Sequence, residues 1–291
     1  ADPPSSEAVQ QSLDKIADCK LPDADQKALQ QVLEQTLTFL NPKTENEQKL
    51  AALKHQLGDA SKQINENQRE LTRLKGTRII PVAQRYGSLD VPQLEQMLSQ
   101  RSTQQSDLQK ALSDASSMVI TAQTRPERAQ AEISANQTRV QQINAILKLG
   151  KDNGKTVSAD QRNQLNAELA AINALTVLRR QELAGNSQLQ DLGNSQHDLL
   201  VEKVSRQEQE IQELQTLIND KRRAQSQQTV TQLSLEAQKA GSSSLLATES
   251  AANLKLSDYL LRGTDRLNEL TQQNLKTKQQ LDNLTQTDQA L

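Results

Sequence analysis

Leucine, isoleucine and valine recur along this chain at alternating three- and four-residue steps, in stretches several helical turns long that short polar breaks separate. Leu200, Val204, Gln207, Ile211, Leu214 and Ile218 step by 4, 3, 4, 3, 4, the a/d seam of coiled-coil packing. From Leu246 a single register runs through Glu249, Asn253, Leu256, Leu260, Gly263, Leu267, Leu270, Asn274, Thr277, Leu281 and Leu284. As one helix that block would be about 60 Å long at 1.5 Å per residue. Asn253, Gly263, Asn274 and Thr277 interrupt its seam, so its partner must accept polar or close-packed layers.

The breaks fall at Asn41-Pro42, from Gly76 through Pro81 and Gly87 to Pro92, at Arg125-Pro126, from Gly150 to Gly154, at Gly185-Asn186 and from Gly241 to Ser244; these are turn residues. Several blocks open with a capping box or its Asp variant, an N-cap side chain followed three residues later by Glu or Gln. The pairs are Asp23 with Gln26, Thr44 with Glu47, Asp90 with Gln93, Thr124 with Glu127 and Ser158 with Gln161. Pro126 and Pro92 stand in the first turn of two such starts, where the missing donor costs nothing. The pattern predicts helices over about 5–18 with 23–40, 44–75, 90–121 with 125–149, 158–184 with 187–239, and 245–288. Short connections make neighbours antiparallel. The expected fold is all-α, an elongated array of stacked antiparallel helical hairpins with coiled-coil-like seams. Its parts would be N-terminal helical segments over 1–88, a hairpin over 89–157, a second over 158–243 and a long C-terminal helix over 244–291.

Composition sharpens the all-helical reading. The 291 residues include one Phe, two Tyr and no Trp, with 9 Gly and 7 Pro, so any core is built from thin aliphatic seams. Gln, Leu, Ala, Lys, Glu and Arg favour helix. Frequent Gln and Ser are compatible with disorder, and the sustained period argues against it. The 34 basic and 36 acidic residues are interspersed, for a net charge of −2, which leaves no positive field for nucleic acid. No apolar run approaches the roughly 20 residues of a membrane span. The start, ADPPSS, has neither a basic nor an apolar leader region and reads as a mature N-terminus. Cys19 is the single cysteine and cannot form an internal disulfide.

Candidate chemistry is sparse. His55 in KHQL and His197 in QHDL have no second ligand at metal spacing and read as helix-surface residues; Cys19 reads as an incidental thiol. Glu202, Lys203, Arg206, Glu208, Glu210 and Glu213 read as a solvated, ion-paired helix face. GKDNGKT at 150–156 lacks the phosphate-loop spacing and reads as a hairpin tip. Lys221-Arg222-Arg223, the densest basic cluster, reads as a solvated face rather than a lipid contact. No catalytic, cofactor-binding or metal residue is nominated, and nothing supports an enzyme.

LDVPQLEQML, then QTRPERAQ about thirty residues on, then QQINAIL, resemble the N-terminal periplasmic region of the large mechanosensitive channels related to the small-conductance channel, its potassium-dependent members above all. RRQELAGNSQLQDL, LQTLINDKR and LTQQNLKTKQQLDNL resemble later hairpins of that family. The resemblance implies a periplasmic domain exported behind a cleaved signal peptide and belonging to a bacterial inner-membrane protein. It implies a pore module after Leu291 that assembles as a heptamer and opens under membrane tension in hypo-osmotic shock to release ions and small osmolytes. The domain itself would be a structural, regulatory and assembly module, self-associating with identical subunits and open to cell-wall or periplasmic contacts. A free-standing periplasmic coiled-coil adaptor or spacer is the alternative.

Overall fold

The computed structural model describes residues 1–240 and 244–290. Seven α-helices are found among them: α1 (Ser6–Asp14), α2 (Asp23–Gly76), α3 (Val82–Tyr86), α4 (Val91–Leu149), α5 (Ala159–Ala184), α6 (Asn186–Lys239) and α7 (Ser244–Ala290). Two two-residue strands, β1 (Lys151–Asp152) and β2 (Lys155–Thr156), pair antiparallel between α4 and α5. The fold is an all-α helical array.

Three expected starts carry their caps. Ser5 accepts from the Ala8 amide at 3.1 Å. Asp90 and Gln93 exchange side-chain and backbone hydrogen bonds at 2.9 and 3.1 Å, and Ser158 and Gln161 do the same, each pair satisfying donors left free in a first turn. The tip at 150–157 also forms as read. Gly150 takes φ +70 as the left-handed end of α4, and Asn153 and Gly154 at φ 49 and 79 make the tight turn whose positive φ values match the twist of paired strands.

Two expected turns are absent. α2 passes through Asn41-Pro42 and α4 through Arg125-Pro126 without a break, so 44–75 and 125–149 are not separate helices and 90–121 does not fold back on 125–149. At Thr44 the hydroxyl donates to the Leu40 carbonyl at 3.2 Å inside the helix instead of capping one. Thr38, whose carbonyl loses its donor to Pro42, is exposed, where leaving a backbone acceptor without a helix partner costs little. Burial of Leu33 and Leu40 before the proline and Leu53 after it holds the helix together, since packing routinely overrides local signals. Asp23 makes no box either: Gln26 donates its amide to the Cys19 and Leu21 carbonyls at 3.0 and 3.1 Å.

The hairpin expected to turn at Gly185 is corrected too. The Gly185 amide donates to Gln181 and its carbonyl accepts from Leu189, each at 3.0 Å, so helical bonding passes through the position. The expected turn at Gly241–Ser244 falls on residues 241–243, which lie outside the described residues.

The chain divides into two compact units, residues 1–64 with 118–192 and residues 65–117 with 193–291. In the first, α4 runs antiparallel to α5, with Arg139 on Glu168 and Glu132 on Arg179. On another side α5 and the start of α6 run parallel to α2, where Gln35 meets Gln164 and Leu57 and Ser61 meet Gln188. Val9, Ile16, Leu33, Leu40 and Ala167 form one core cluster, and Leu53, Leu178 and Leu189 another. In the second unit α4 lies antiparallel to α6, through Gln105 with Glu208 and Arg101 with Glu210, and α7 lies antiparallel to α6, through Arg222 with Asn268 and Arg223 with Asp265. Val82, Val91, Leu94, Leu214 and Ile218 form its core cluster. Of the predicted α6 seam, Leu214 and Ile218 belong to this cluster, Val204 and Ile211 are also buried, and Leu200 and Gln207 are half-buried.

Candidate functional site

The first site is built around Pro126 in the first unit. A proline inside a helix removes one donor and leaves the carbonyl four residues earlier without its partner. That carbonyl belongs to Ala122, which is 1% exposed, and an unpaired buried carbonyl is costly. Asn186 Nδ2 donates to it at 2.7 Å, while Asn186 Oδ1 accepts from Arg125 Nη1 at 3.1 Å. The start of α6 therefore supplies the hydrogen bond that α4 cannot make.

An ion-pair ladder continues from there. Arg125 Nε lies 3.0 Å from Glu182, Glu182 is 2.6 Å from Arg179 Nη1, and Arg179 Nε is 2.6 Å from Glu132. Burial opposes the Arg179 charge, and the hydrogen bonds it donates to Glu132 and Glu182, together with the charges of those carboxylates, outweigh it, so its pKa is raised. Further along α4, Arg139 grips Glu168 with two bonds of 2.6 and 2.9 Å, a bidentate geometry that fixes orientation as well as charge. That hydrogen bond raises the Arg139 pKa against the opposing effect of burial. Next to Asn186, a Cβ placed on Gly185 would meet Leu57 side-chain carbons at 2.6 Å, so the glycine is a notch that admits Leu57.

The second site joins the segment between α2 and α4 to α6. Glu210 lies 3.1 Å from Arg85 and 3.3 Å from Arg101, and Glu213 accepts from the Val82 amide at 3.4 Å. Arg206 pairs with Glu202 at 2.9 Å and donates to the Leu74 carbonyl. Lys221 donates to the Gly87 carbonyl at 2.6 Å and to that of Leu89. Arg222 binds Asn268 Oδ1 at 2.7 Å and Glu95, and Arg223 binds Asp265 at 2.7 Å. Burial raises the pKa of Glu208, which accepts from Gln105.

The residues singled out from sequence are thus redistributed. In Lys221-Arg222-Arg223 the half-buried Lys221 and Arg222 hold a loop, α4 and α7, while Arg223, read as part of a solvated face, is exposed and pairs with Asp265 of α7. Glu202 and Arg206 form the expected i,i+4 pair, whereas Glu210, 15% exposed at its side chain, bridges two arginines of other elements. His55 pairs with Asp59 at 3.3 Å, His197 sits against Asp198, and Cys19 is exposed; the structure brings none of the three together. Asn186 was legible only as a turn residue. Thr124, expected to cap a helix, donates instead to the Ile120 and Thr121 carbonyls within α4.

Within each unit these polar groups tie neighbouring helices to one another. The chain belongs to the family described as the mechanosensitive ion channel porin domain, whose model matches residues 12–248. It is 32% identical over 240 residues to an uncharacterized MscS family protein of Haemophilus influenzae, covering 82% of this chain and 21% of that protein. It is 28% identical over 291 residues to the mechanosensitive channel MscK of Escherichia coli, covering 99% of this chain and 26% of that protein. The chain thus spans about a quarter or less of the length of these relatives. No solved structure matches it. Among the described residues no helix is long and apolar enough to cross a membrane.

Proposed function

We propose that this chain is the periplasmic domain of a mechanosensitive channel of the potassium-dependent, MscK-like kind, which opens under membrane tension in hypo-osmotic shock and releases ions and small osmolytes. The domain is a structural and regulatory module and not the pore; it contributes to homo-oligomeric assembly, and the seven-fold arrangement belongs to the part after Leu291. The observation that carries this reading is the family match over residues 12–248, laid over an all-α array whose helices are locked by charge ladders. Such ladders suit an element that bears load, because sliding one helix past another breaks several ion pairs at once. Export behind a cleaved signal peptide and contact with the cell wall complete the reading.

Patch recording of the full-length protein tests it. Removing residues 1–291 is expected to shift the tension threshold or its dependence on external ions while single-channel conductance stays unchanged. An unaltered threshold and ion dependence would reduce the domain to a passive appendage. Apolar spans encoded after Leu291 support the channel reading, whereas a stop codon there would favour the free-standing adaptor.

A further inference from the structure

From Leu71 to Leu89, where α2 ends and the chain passes to α4, the sequence holds Arg73, Lys75, Arg78 and Arg85 and no acidic residue, although the chain as a whole has a net charge of −2. Thr77 to Pro81 lie outside any helix. There two aliphatic side chains stand side by side in water, Ile79 41% and Ile80 50% exposed. The core does not need them. Val82, two residues further on, is fully buried and anchors the segment to the second unit's core cluster. Single apolar side chains on a surface are ordinary, whereas an adjacent pair among cations marks a contact surface.

Arg78, Ile79 and Ile80 border a cavity of about 290 Å³, at the small end of ligand pockets. The carboxylates of its lining are already engaged: Glu210 lies between Arg85 and Arg101, and Glu213 accepts from the Val82 amide. Arg206, on the same lining, is held by Glu202 and the Leu74 carbonyl. Arg78 is exposed, and among the described residues neither it nor the exposed Lys75 has a carboxylate partner. Their charge is free for an anion from outside. At 100° per residue the α6 positions lining the cavity lie about 140° around that helix from those that meet α7, so α7 does not cover it.

We propose that this segment docks on an anionic phospholipid surface, with headgroup phosphates at Lys75 and Arg78 and the side chains of Ile79 and Ile80 among the first acyl methylenes. A bilayer offers both halves of the match at once, fixed negative charge at its surface and apolar chains just behind it. A nucleic-acid strand brings the charge and needs aromatic faces to stack on. The one ring here, Tyr86, is half-buried, with the Arg85 guanidinium 5.1 Å from its centroid. An acidic peptide also brings the charge, and a cavity this small seats one of its side chains rather than a strand. Four cations and two isoleucines make an attachment that is reversible and weakened by salt. The proposal deepens the channel reading, which supplies the membrane, and rests on that reading for nothing else.

The test uses the 291-residue chain with vesicles of phosphatidylcholine, with and without phosphatidylglycerol. Co-sedimentation is expected to be at least about tenfold greater with the anionic vesicles and to fall as salt is added. Arg78→Glu should weaken it about fivefold or more, the worth of one cation at such a surface, and Ile79→Ser with Ile80→Ser should weaken it as well. The chain has no tryptophan, so Ile80→Trp is a local reporter. Its emission should shift to the blue on anionic vesicles and be quenched by brominated acyl chains, while Val177→Trp, placed at a residue 47% exposed on α5, should not respond. The same vesicles should slow tryptic cutting after Arg78 and leave cutting after Lys20 unchanged. No preference for anionic vesicles, undiminished binding of the Arg78→Glu chain, or unshifted emission at position 80 would overturn the proposal. Equal binding to soluble polyglutamate would also overturn it, in favour of an acidic protein partner. If the serine pair lowers helicity by circular dichroism, the tryptophan reporter decides. A chain that ignores vesicles leaves the channel reading standing, whereas unaltered gating after removal of residues 1–291 counts against that reading and not against this one.

Discussion

Asn186 uses both ends of its amide at the Pro126 break, donating to Ala122 and accepting from Arg125. Asn186→Ala is expected to destabilise the chain by about 1–3 kcal/mol, the usual penalty for a stranded buried acceptor. In a Pro126→Ala background the restored amide at 126 reaches Ala122 itself, so the same substitution should cost clearly less. Denaturant titration of the four proteins in a double-mutant cycle reads this coupling, and an equal cost in both backgrounds would refute it. Glu208 offers a pH measurement. Burial holds its carboxyl above the ordinary value, so the folded chain keeps a proton that the unfolded chain has released. The contribution of Glu208 to stability is therefore fully present below the ordinary carboxylate range and is lost as pH rises through the raised value. Glu208→Gln should have a melting temperature at pH 7 equal to or above that of the unmodified chain, with the two curves converging in acid. Of these residues the sequence displayed Pro126 and its neighbouring charges. It could not display their partner, which lies 61 residues away from Arg125 in a stretch that resembles a turn.

At the scale of elements, the same local grammar had opposite outcomes. Asp90 with Gln93 and Ser158 with Gln161 cap helices because a reversal or loop precedes each of them. Thr44 with Glu47 and Thr124 with Glu127 sit inside α2 and α4, because buried aliphatic positions continue on both sides of each proline. Period and composition thus made the helices and the α6 seam legible, while their lengths and pairing depended on contacts more than a hundred residues apart. The α7 register was legible as well, although the stripe that meets α6 is another one, through the buried Ser257 and Asn268, and both have helical spacing. The tip between β1 and β2 was readable outright, from Asn153-Gly154. Gly154 holds φ 79, a conformation that costs other residues about 1–2 kcal/mol, and Gly154→Val should lower stability by about that amount in a denaturation curve. Leu214, fully buried in the second unit's core, should cost about 2–5 kcal/mol when cut to alanine.

At the scale of the whole molecule, order is distributed unevenly along the chain. Lys20 and Arg78 are exposed and lie outside the helices, where backbone is open to attack. Limited tryptic digestion followed by mass spectrometry should therefore show cuts at Lys20 and Arg78 before any at Arg139 or Arg179, which are tied into ion pairs. Early cleavage at the latter two would mean that the ladder opens as readily as the loops. The turn at Asn153-Gly154 also has a kinetic consequence. Contacts across α4 and its partners begin 15 residues apart at Leu147–Arg162 and extend through 29 at Arg139–Glu168, 61 at Arg125–Asn186 and 103 at Gln105–Glu208 to 127 at Glu95–Arg222. Each contact shortens the loop that the next must close, and loop closure is the entropic cost that slows distant pairing. A chain with contacts between residues more than a hundred positions apart can thus fold like a zip fastener, from the tip outward, and a fault at the slider delays every tooth behind it.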